Sequence, residues 1–500
     1  MRKIIFSVFL FLPGFLLAQD LDIRLSYPRE GAKMGTLKRS FVLGFVQPSS
    51  ASVSINGSTV AVYRTGSFAA VIPFSTGTFA IAARADLGKL STETVRTIFV
   101  AEISSLTAPP PLVPNFKILE TTGITMVEVS TSEIILKTGP AVDDNTMAYD
   151  LFIPEGVKLC AQGRLGNETR IKLSETEYLW GEEKYLKALS SSTPQSCALL
   201  GNIRSKNKDR SFVVSLDLTE QVPFRAVLSE DLKTLSLFLY YTVSNVDRIR
   251  LDTSGKIRWG KEIFWAQPAR ETAQVICRVK EKIWGYDLRY EKDRLICEIF
   301  FAPRGGLFKR VLSGITVAVD PGHSPNLGDG AISPQGFPEG EINYRISEEL
   351  KKKLESRGAK VFMTREREES VALMERGRRA AKAGADLFIS IHANAVPDGS
   401  DPWGRKGYSV FYFQPSSLGL AKAAHSALSK YVDIEDDGLS YGNLAVCRSP
   451  RIPSILVEAG YLIRPDEEEL LLNPEFQRRF AAGIVRGVAD FVRARRRGRS

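Results

Sequence analysis

The sequence predicts a multidomain chain: β-rich modules in front, then an α/β domain whose sheet is mainly parallel and flanked by helices. Three observations carry that reading. Up to about residue 305, short β-prone runs alternate with turn signals. From residue 314, strand-like runs alternate with runs of helical period, the grammar of a parallel sheet covered by helices. A length of 500 residues corresponds to about three to five domains, at roughly 100–200 residues each.

In chain order, Arg2 and Lys3 precede an apolar run from Ile4 to Leu17, broken only by Ser7, Pro13 and Gly14. With the small Ala18 at its end, this reads as a secretory signal peptide over residues 1–18. The run is short for a transmembrane helix, and Pro13-Gly14 weakens one; an uncleaved signal anchor is the alternative. No other stretch reaches 18 uninterrupted apolar residues, so no transmembrane segment is expected after signal removal. Export places the protein in a periplasm, in the cell envelope or outside the cell. With no Cys after the signal, no lipid anchor is expected.

Residues 21–105 hold about seven short strand runs, with Asn56-Gly57 as a hairpin signal between Ser52–Ile55 and the next run. That count suggests a small sandwich, Ig-like in general style. Thr107 to Pro114 reads as a semi-rigid linker, set at residues 106–114. Residues 115–190 again look all-β; from Thr138-Gly139-Pro140 to Trp180-Gly181 they resemble bacterial SH3-like domains. Residues 190–207, rich in Ser and Lys, read as a loop. Residues 208–305 carry runs such as Phe212–Leu216 and Leu235–Tyr240, and resemble AMIN-type envelope-targeting domains. Trp259, Trp265 and Trp284 are read as core or strand-edge residues, with sugar stacking as the alternative. Among the cysteines, Cys160 with Cys197 and Cys277 with Cys297 are neighbours in sequence; bridges and buried thiols both remain open. No CxxC spacing indicates a cysteine metal site.

In the α/β part, Ile315–Val319 is a strand. Ile342, Ile346, Leu350 and Leu354 make an amphipathic helix over 341–357, stopped by Gly358. Further strands are expected at 360–364, 387–391, 408–413 and 453–457. Ser370 is expected to cap a helix to about 382, and another helix starts near 417. Asn473-Pro474 opens a last helix with Phe476, Phe480, Ile484, Val488 and Phe491 on one face. The domain spans 314–493, and 494–500 reads as a basic, solvated tail.

Composition excludes several classes. With 44% hydrophobic and 25% charged residues, disorder and a polytopic membrane protein are not expected. Lys plus Arg at 67 against Asp plus Glu at 57 gives +10, and five arginines fall within residues 493–500. No basic face interleaved with aromatics points to nucleic acid; an anionic envelope polymer fits the charge better.

The chain has only three histidines. His323 follows the first α/β strand in Asp320-Pro-Gly-His323, and His392 ends the 387–391 strand. Glu458 ends the strand at 453–457. In open α/β sheets, ligand sites lie beyond the carboxyl ends of the strands, so all three point at one crevice. Catalytic zinc commonly takes two histidines, one carboxylate and an open position. The carboxylates available are Asp329, Glu339 and Glu341, and Glu339, at the turn into the first helix, is chosen. Zn²⁺ there would activate water and polarise a carbonyl, while Glu458 acts as general base and acid.

The motifs Asp-Pro-Gly-His323, Glu339-Gly-Glu-Ile-Asn343, Thr364-Arg365, Ser390-Ile-His-Ala-Asn394 and Leu456-Val-Glu-Ala-Gly-Tyr461, in that order, resemble the zinc-dependent N-acetylmuramoyl-L-alanine amidases of type 3 over residues 314–493. The resemblance implies His323, Glu339 and His392 as zinc ligands and Glu458 as the catalytic glutamate. It also implies peptidoglycan as substrate, cut between muramic acid and the L-alanine of the stem peptide. The sequence departs from that pattern at Ser324-Pro325-Asn326, where two glycines are usual, at Gly340, where Lys is usual, and at Tyr461, where Phe is usual. About fifteen residues separate His392 from the next strand, too few for the inhibitory helix some members insert there. The β modules would bind the wall or envelope and division proteins. Two alternatives stand beside this reading: a zinc hydrolase of the same fold acting on another amide, and an inactive envelope-binding scaffold. Of the remaining residues, His425 reads as a solvated surface histidine. Arg365 and Arg448 are open between substrate carboxylates and salt bridges. Asn394 is open between substrate and the His392 loop.

Overall fold

The computed structural model describes residues 20–101, 125–140, 149–190, 192–254, 259–304 and 310–497. The segments read as a signal peptide at 1–18 and a linker at 106–114 lie outside the described residues, as do the last three residues of the chain.

Residues 22–100 form seven strands in two sheets. One sheet orders Asp22–Tyr27, Arg39–Gln47 and Ser67–Pro73; the other orders Ser58–Val60, Ser52–Ile55, Gly77–Leu87 and Leu90–Val100. Asn56 and Gly57 have φ of 47° and 81°, as the two-residue hairpin turn demands. Between the sheets lie Val42, Val46, Phe68, Ile72, Ile55, Ile81 and Ile98. Strand Arg39–Gln47 breaks the alternation of a half-buried strand. Phe41 and Leu43 belong to a different cluster from Val42 and Val46, yet they are only 4% and 0% exposed. They meet Ala69 and Ile463, the latter from the α/β domain. Burying such side chains contributes about 1.5–3 kcal/mol each, so the first β domain is held on the α/β domain by an apolar contact.

Residues 125–188 build a seven-stranded sheet around Val129, Leu136, Ile153 and Leu159. Residues 198–301 add a six-stranded and a four-stranded sheet. The expected loop over 190–207 is in large part a strand, Ala198–Asn207, paired with Ser211–Leu218. A register shift between Leu200 and Ile203 breaks its period of two, which hides it from pattern reading. Trp259 stacks on Phe301 at 4.0 Å between ring centroids, and Trp284 is buried and donates to the Asp386 carbonyl; Trp265 is exposed. All five cysteines are free thiols, so neither candidate bridge forms.

The α/β domain has strands β1 (Thr316–Pro321), β2 (Lys360–Met363), β3 (Leu387–Asn394), β4 (Tyr408–Tyr412), β5 (Asp436–Tyr441) and β6 (Ser454–Tyr461). Their order is β2-β1-β3-β6-β4-β5. All neighbours are parallel except β4 with β6. The helices are α1 (Glu339–Ser356), α2 (Leu373–Lys382), α3 (Pro415–Leu428), α4 (Pro465–Leu472) and α5 (Pro474–Arg496). Helices α1, α3 and α5 cover one face, where Ile346, Leu420 and Phe480 share a core with Val319, Ile391 and Val457. On the other, Ala380 of α2 and Cys447 pack with Ala318, Phe388 and Leu456. The sheet is therefore buried on both sides, which explains its near-continuous apolar runs. Among the described residues no helix is long and apolar enough to cross a membrane.

The structure departs from three further expectations. Ser370 does not cap α2; the cap position is Ala372, with no side-chain bond. The C-terminal arginines are not a solvated tail up to residue 497. Arg495 is 7% exposed and donates to the Ile283 carbonyl, and Arg496 donates to the carbonyls of Pro303, Val311 and Ser313. Burial lowers the Arg495 guanidinium to about 10. His425, expected to be a solvated surface histidine, is half-buried, with its Nε2 2.7 Å from the exposed Asp436 Oδ1.

Candidate metal centre

Strand β1 ends at Pro321, and the chain turns so that His323 adopts φ 55°. That conformation is strained for a residue with a Cβ. Two buried arginines hold the turn. Arg376 donates to the carbonyls of Pro321 and His323 at 2.7 and 2.9 Å, and to Asp320 Oδ1 at 3.0 Å. Arg365 donates to the carbonyls of Pro321, Gly340, Glu366 and Arg367. Asp320 also accepts from Thr364 and, at 2.7 Å, from Ser390.

Three donor groups converge at this end of the sheet. His323 Nε2 lies 3.4 Å from Glu339 Oε2, and His392 Nδ1 lies 3.2 Å from Glu339 Oε1. One ligand atom from each of the three lies within 4.8 Å of the others. Glu339 is placed by its own helix start: Ala331 N donates to its Oε2 at 2.9 Å, while Asn343 and Ala393 N donate to its Oε1. Burial works against its charge, but the His392 contact and the two imidazoles outweigh it and hold the carboxyl at about 2. An anionic oxygen donor between two ring nitrogens is a set that suits a divalent cation.

Glu458 stands beside His392 as its register partner in β6. Its Oε2 is buried and has no hydrogen-bond partner. Desolvation, then the charges of Glu339 and Asp437, push its carboxyl well above the usual range. Asp437 is itself tied to Tyr461 Oη and Arg405, each at 2.8 Å.

Two glycines are required by close approach. A Cβ at Gly322 would lie 2.4 Å from His392 Nε2, and one at Gly340 would lie 1.9 Å from the Ser324 carbonyl oxygen. Thus two of the three places where the sequence departs from the resembled pattern, Ser324-Pro325 and Gly340, lie against each other.

Of the carboxylates weighed, Glu341 is turned away into pairs with Arg345 and Arg367. Asp329 is not at the convergence point; its Oδ1 lies 2.8 Å from His323 Nδ1 and its Oδ2 accepts from Ser324 N. Sequence reasoning missed that orienting role, although Asp329 was within its candidate set. Arg365 and Arg448 hold backbone and Asn443 rather than lying free for a substrate. Asn394 accepts from Ala395 N and so shapes the loop after His392. That loop, 395–407, holds turns and no helix.

Residues 317–490 match the family described as N-acetylmuramoyl-L-alanine amidase. The chain is 32% identical over 185 residues to the N-acetylmuramoyl-L-alanine amidase LytC of Bacillus subtilis, covering 37% of each. It is 30% identical over 190 residues to the endolysin of Bacillus phage SPP1, covering 36% of this chain and 67% of the endolysin. The chain belongs to the N-acetylmuramoyl-L-alanine amidase family. Its C-terminus is a type 3 amidase catalytic domain. The solved amidase AmiC2 of Nostoc punctiforme is 30% identical over 36% of this chain and 99% of its own, with a TM-score of 0.33. The chain spans 37% of LytC and 59% of a second curated relative. The family match covers His323, Glu339, His392 and Glu458, and α5 up to residue 490; the β-rich front lies outside it.

Proposed function

We infer that the α/β domain hydrolyses the amide between N-acetylmuramic acid and the L-alanine of the peptidoglycan stem, with Zn²⁺ held by His323, Glu339 and His392. The observation that carries this is the convergence of those three donors within 4.8 Å beside a buried glutamate oxygen that has no partner. Two imidazoles and one carboxylate match the ligand set of catalytic zinc with a position left for substrate or water. Such an ion supplies Lewis acidity, which polarises a carbonyl and makes water a better nucleophile near neutral pH.

The chain's own residues do the rest. Asp329 fixes the His323 ring, and the Ala331 and Ala393 amides with Asn343 fix Glu339. Glu458 takes a proton from the attacking water and returns it to the departing alanine nitrogen. Its raised affinity for a proton suits a group that must both accept and give one. A cation at Glu339 offsets the Glu339 charge that contributes to that rise. Export to the envelope fits this substrate. In this reading the SH3-like and AMIN-like modules bind the wall or envelope proteins.

The test is mass spectrometry of purified peptidoglycan digested by the full chain without its first 18 residues. Free stem peptides beginning with alanine should appear, vanish with chelator and return with zinc. Zinc binding with no release from wall or from small muropeptides defeats the reading.

A further inference from the structure

The outer face of the first β domain touches the loops that follow the site's strands. Leu43 and Ala69 are directly opposed on adjacent strands, with Phe41 two residues along. Their buried cluster contains Ile463, five residues after Glu458, and gathers Ala395 and Val396 just after His392. It also takes in Ala331, whose amide and carbonyl both bond Glu339. Hydrogen bonds repeat the pattern. Tyr27 Oη donates to Asp398, and the Gly399 amide donates to Ser40 Oγ at 3.0 Å. Ser67 Oγ donates at 2.6 Å to buried Glu468, whose other oxygen accepts from the Gln335 amide in the loop leading to Glu339.

We propose that the first β domain, residues 22–100, is a fixed part of the catalytic site and not a tethered targeting module: Phe41, Leu43, Ala69, Tyr27, Ser40 and Ser67 position the loops that present Glu339, His392 and Glu458. A module that only binds wall needs no apolar outer face against the enzyme. Here that face is buried against three loops, each adjoining a different site residue. The turnover arm of the test rests on the amidase reading; the metal arm and the exchange arm do not.

The experiment compares the full chain with two variants. Phe41→Lys with Leu43→Lys breaks the apolar contact and leaves the domain's own core, Val42, Val46 and Phe68, in place. Tyr27→Phe with Ser40→Ala removes only the bonds to Asp398 and Gly399 and needs no core to be rebuilt. The readouts are Zn²⁺ affinity by chelator competition, turnover of a small soluble muropeptide, and amide exchange at Gly399 and Gln335 in chelated protein. Small misplacements of reacting groups cost large factors in rate, so the lysine pair should lose roughly ten-fold or more in kcat. It should also bind Zn²⁺ several-fold more weakly and lose protection at both amides. The milder pair should move the same way by less, with Gly399 protection lost. Wild-type zinc affinity, turnover and protection in both variants, with only pelleting on whole wall reduced, overturns the proposal and restores a targeting role. A wild-type chain that binds zinc but leaves the muropeptide intact sinks the amidase reading, while the affinity and exchange arms still decide this one.

Discussion

His323 Nδ1 lies 2.8 Å from Asp329 Oδ1, and that contact leaves Nε2 turned toward Glu339 at 3.4 Å. The partner of a ligand imidazole sets its tautomer and ring angle, and removing such partners typically costs about 10–100-fold in metal affinity. Asp329→Ala should therefore weaken Zn²⁺ by about that factor in a chelator competition, with the fold intact by circular dichroism. Unchanged affinity would mean that the buried turn alone orients His323.

Glu458 has no ligand atom at the convergence point, yet its enclosed Oε2 sits among the site's charges. Glu458→Gln keeps its shape and removes its ability to take a proton. Turnover of a soluble muropeptide should fall by about 10²–10⁴-fold, the usual worth of a positioned general base. Zinc content should stay near that of the wild type. Equal losses of zinc and turnover would make Glu458 a support for the metal centre instead.

The strained turn at His323 depends on Arg376, whose charge is paired with Asp320 at side-chain exposures of 5% and 0%. Breaking a buried pair leaves an uncompensated charge and costs about 3–5 kcal/mol. Arg376→Met should lower the denaturant midpoint of the α/β domain accordingly. A loss well under 1 kcal/mol would show that Thr364 and Ser390 satisfy Asp320 without it.

Much of the α/β domain was legible because its signals are local. Gly358, at φ 93°, marks the end of α1, and Asn473 caps α5 by accepting from Glu475 N at 2.8 Å. Both appear as single residues at the right distance from an apolar repeat. The two histidines and Glu458 were legible because strand ends in a parallel sheet share one crevice. What escaped depends on partners far away in sequence. β5, Asp-Asp-Gly-Leu-Ser-Tyr, is a polar edge strand that no periodicity announces. Arg495 and Arg496 look like a solvated tail until carbonyls of Ile283 and Pro303 are brought to them. Asp329 shows a carboxylate in sequence but not which ring it meets. Phe41 and Leu43 did leave a trace, since Phe41-Val42-Leu43-Gly44-Phe45-Val46 is continuous where a half-buried strand alternates. That trace says a second face is covered and cannot say by what.

Glu468 joins the first β domain to the loop that leads to Glu339 from a fully buried position. Desolvation raises its carboxyl above the usual value; bonds from Ser333, Ser67 and Gln335 offset only part of this. A carboxyl whose folded value lies above its unfolded one contributes stability that is complete below the unfolded value, about 4.5. That contribution is lost as pH rises through the folded value. Glu468→Gln removes the titration; its amide oxygen can accept from Gln335 N while its amide nitrogen donates to Ser67 Oγ. Thermal melts from pH 4 to pH 8 should therefore show the wild type losing ground to the variant as pH rises, with the two close together at the acid end. Melting curves that stay parallel across that range would mean that Glu468 titrates alike in the folded and unfolded chain, and that its bonds to Ser67 and Gln335 already balance its burial.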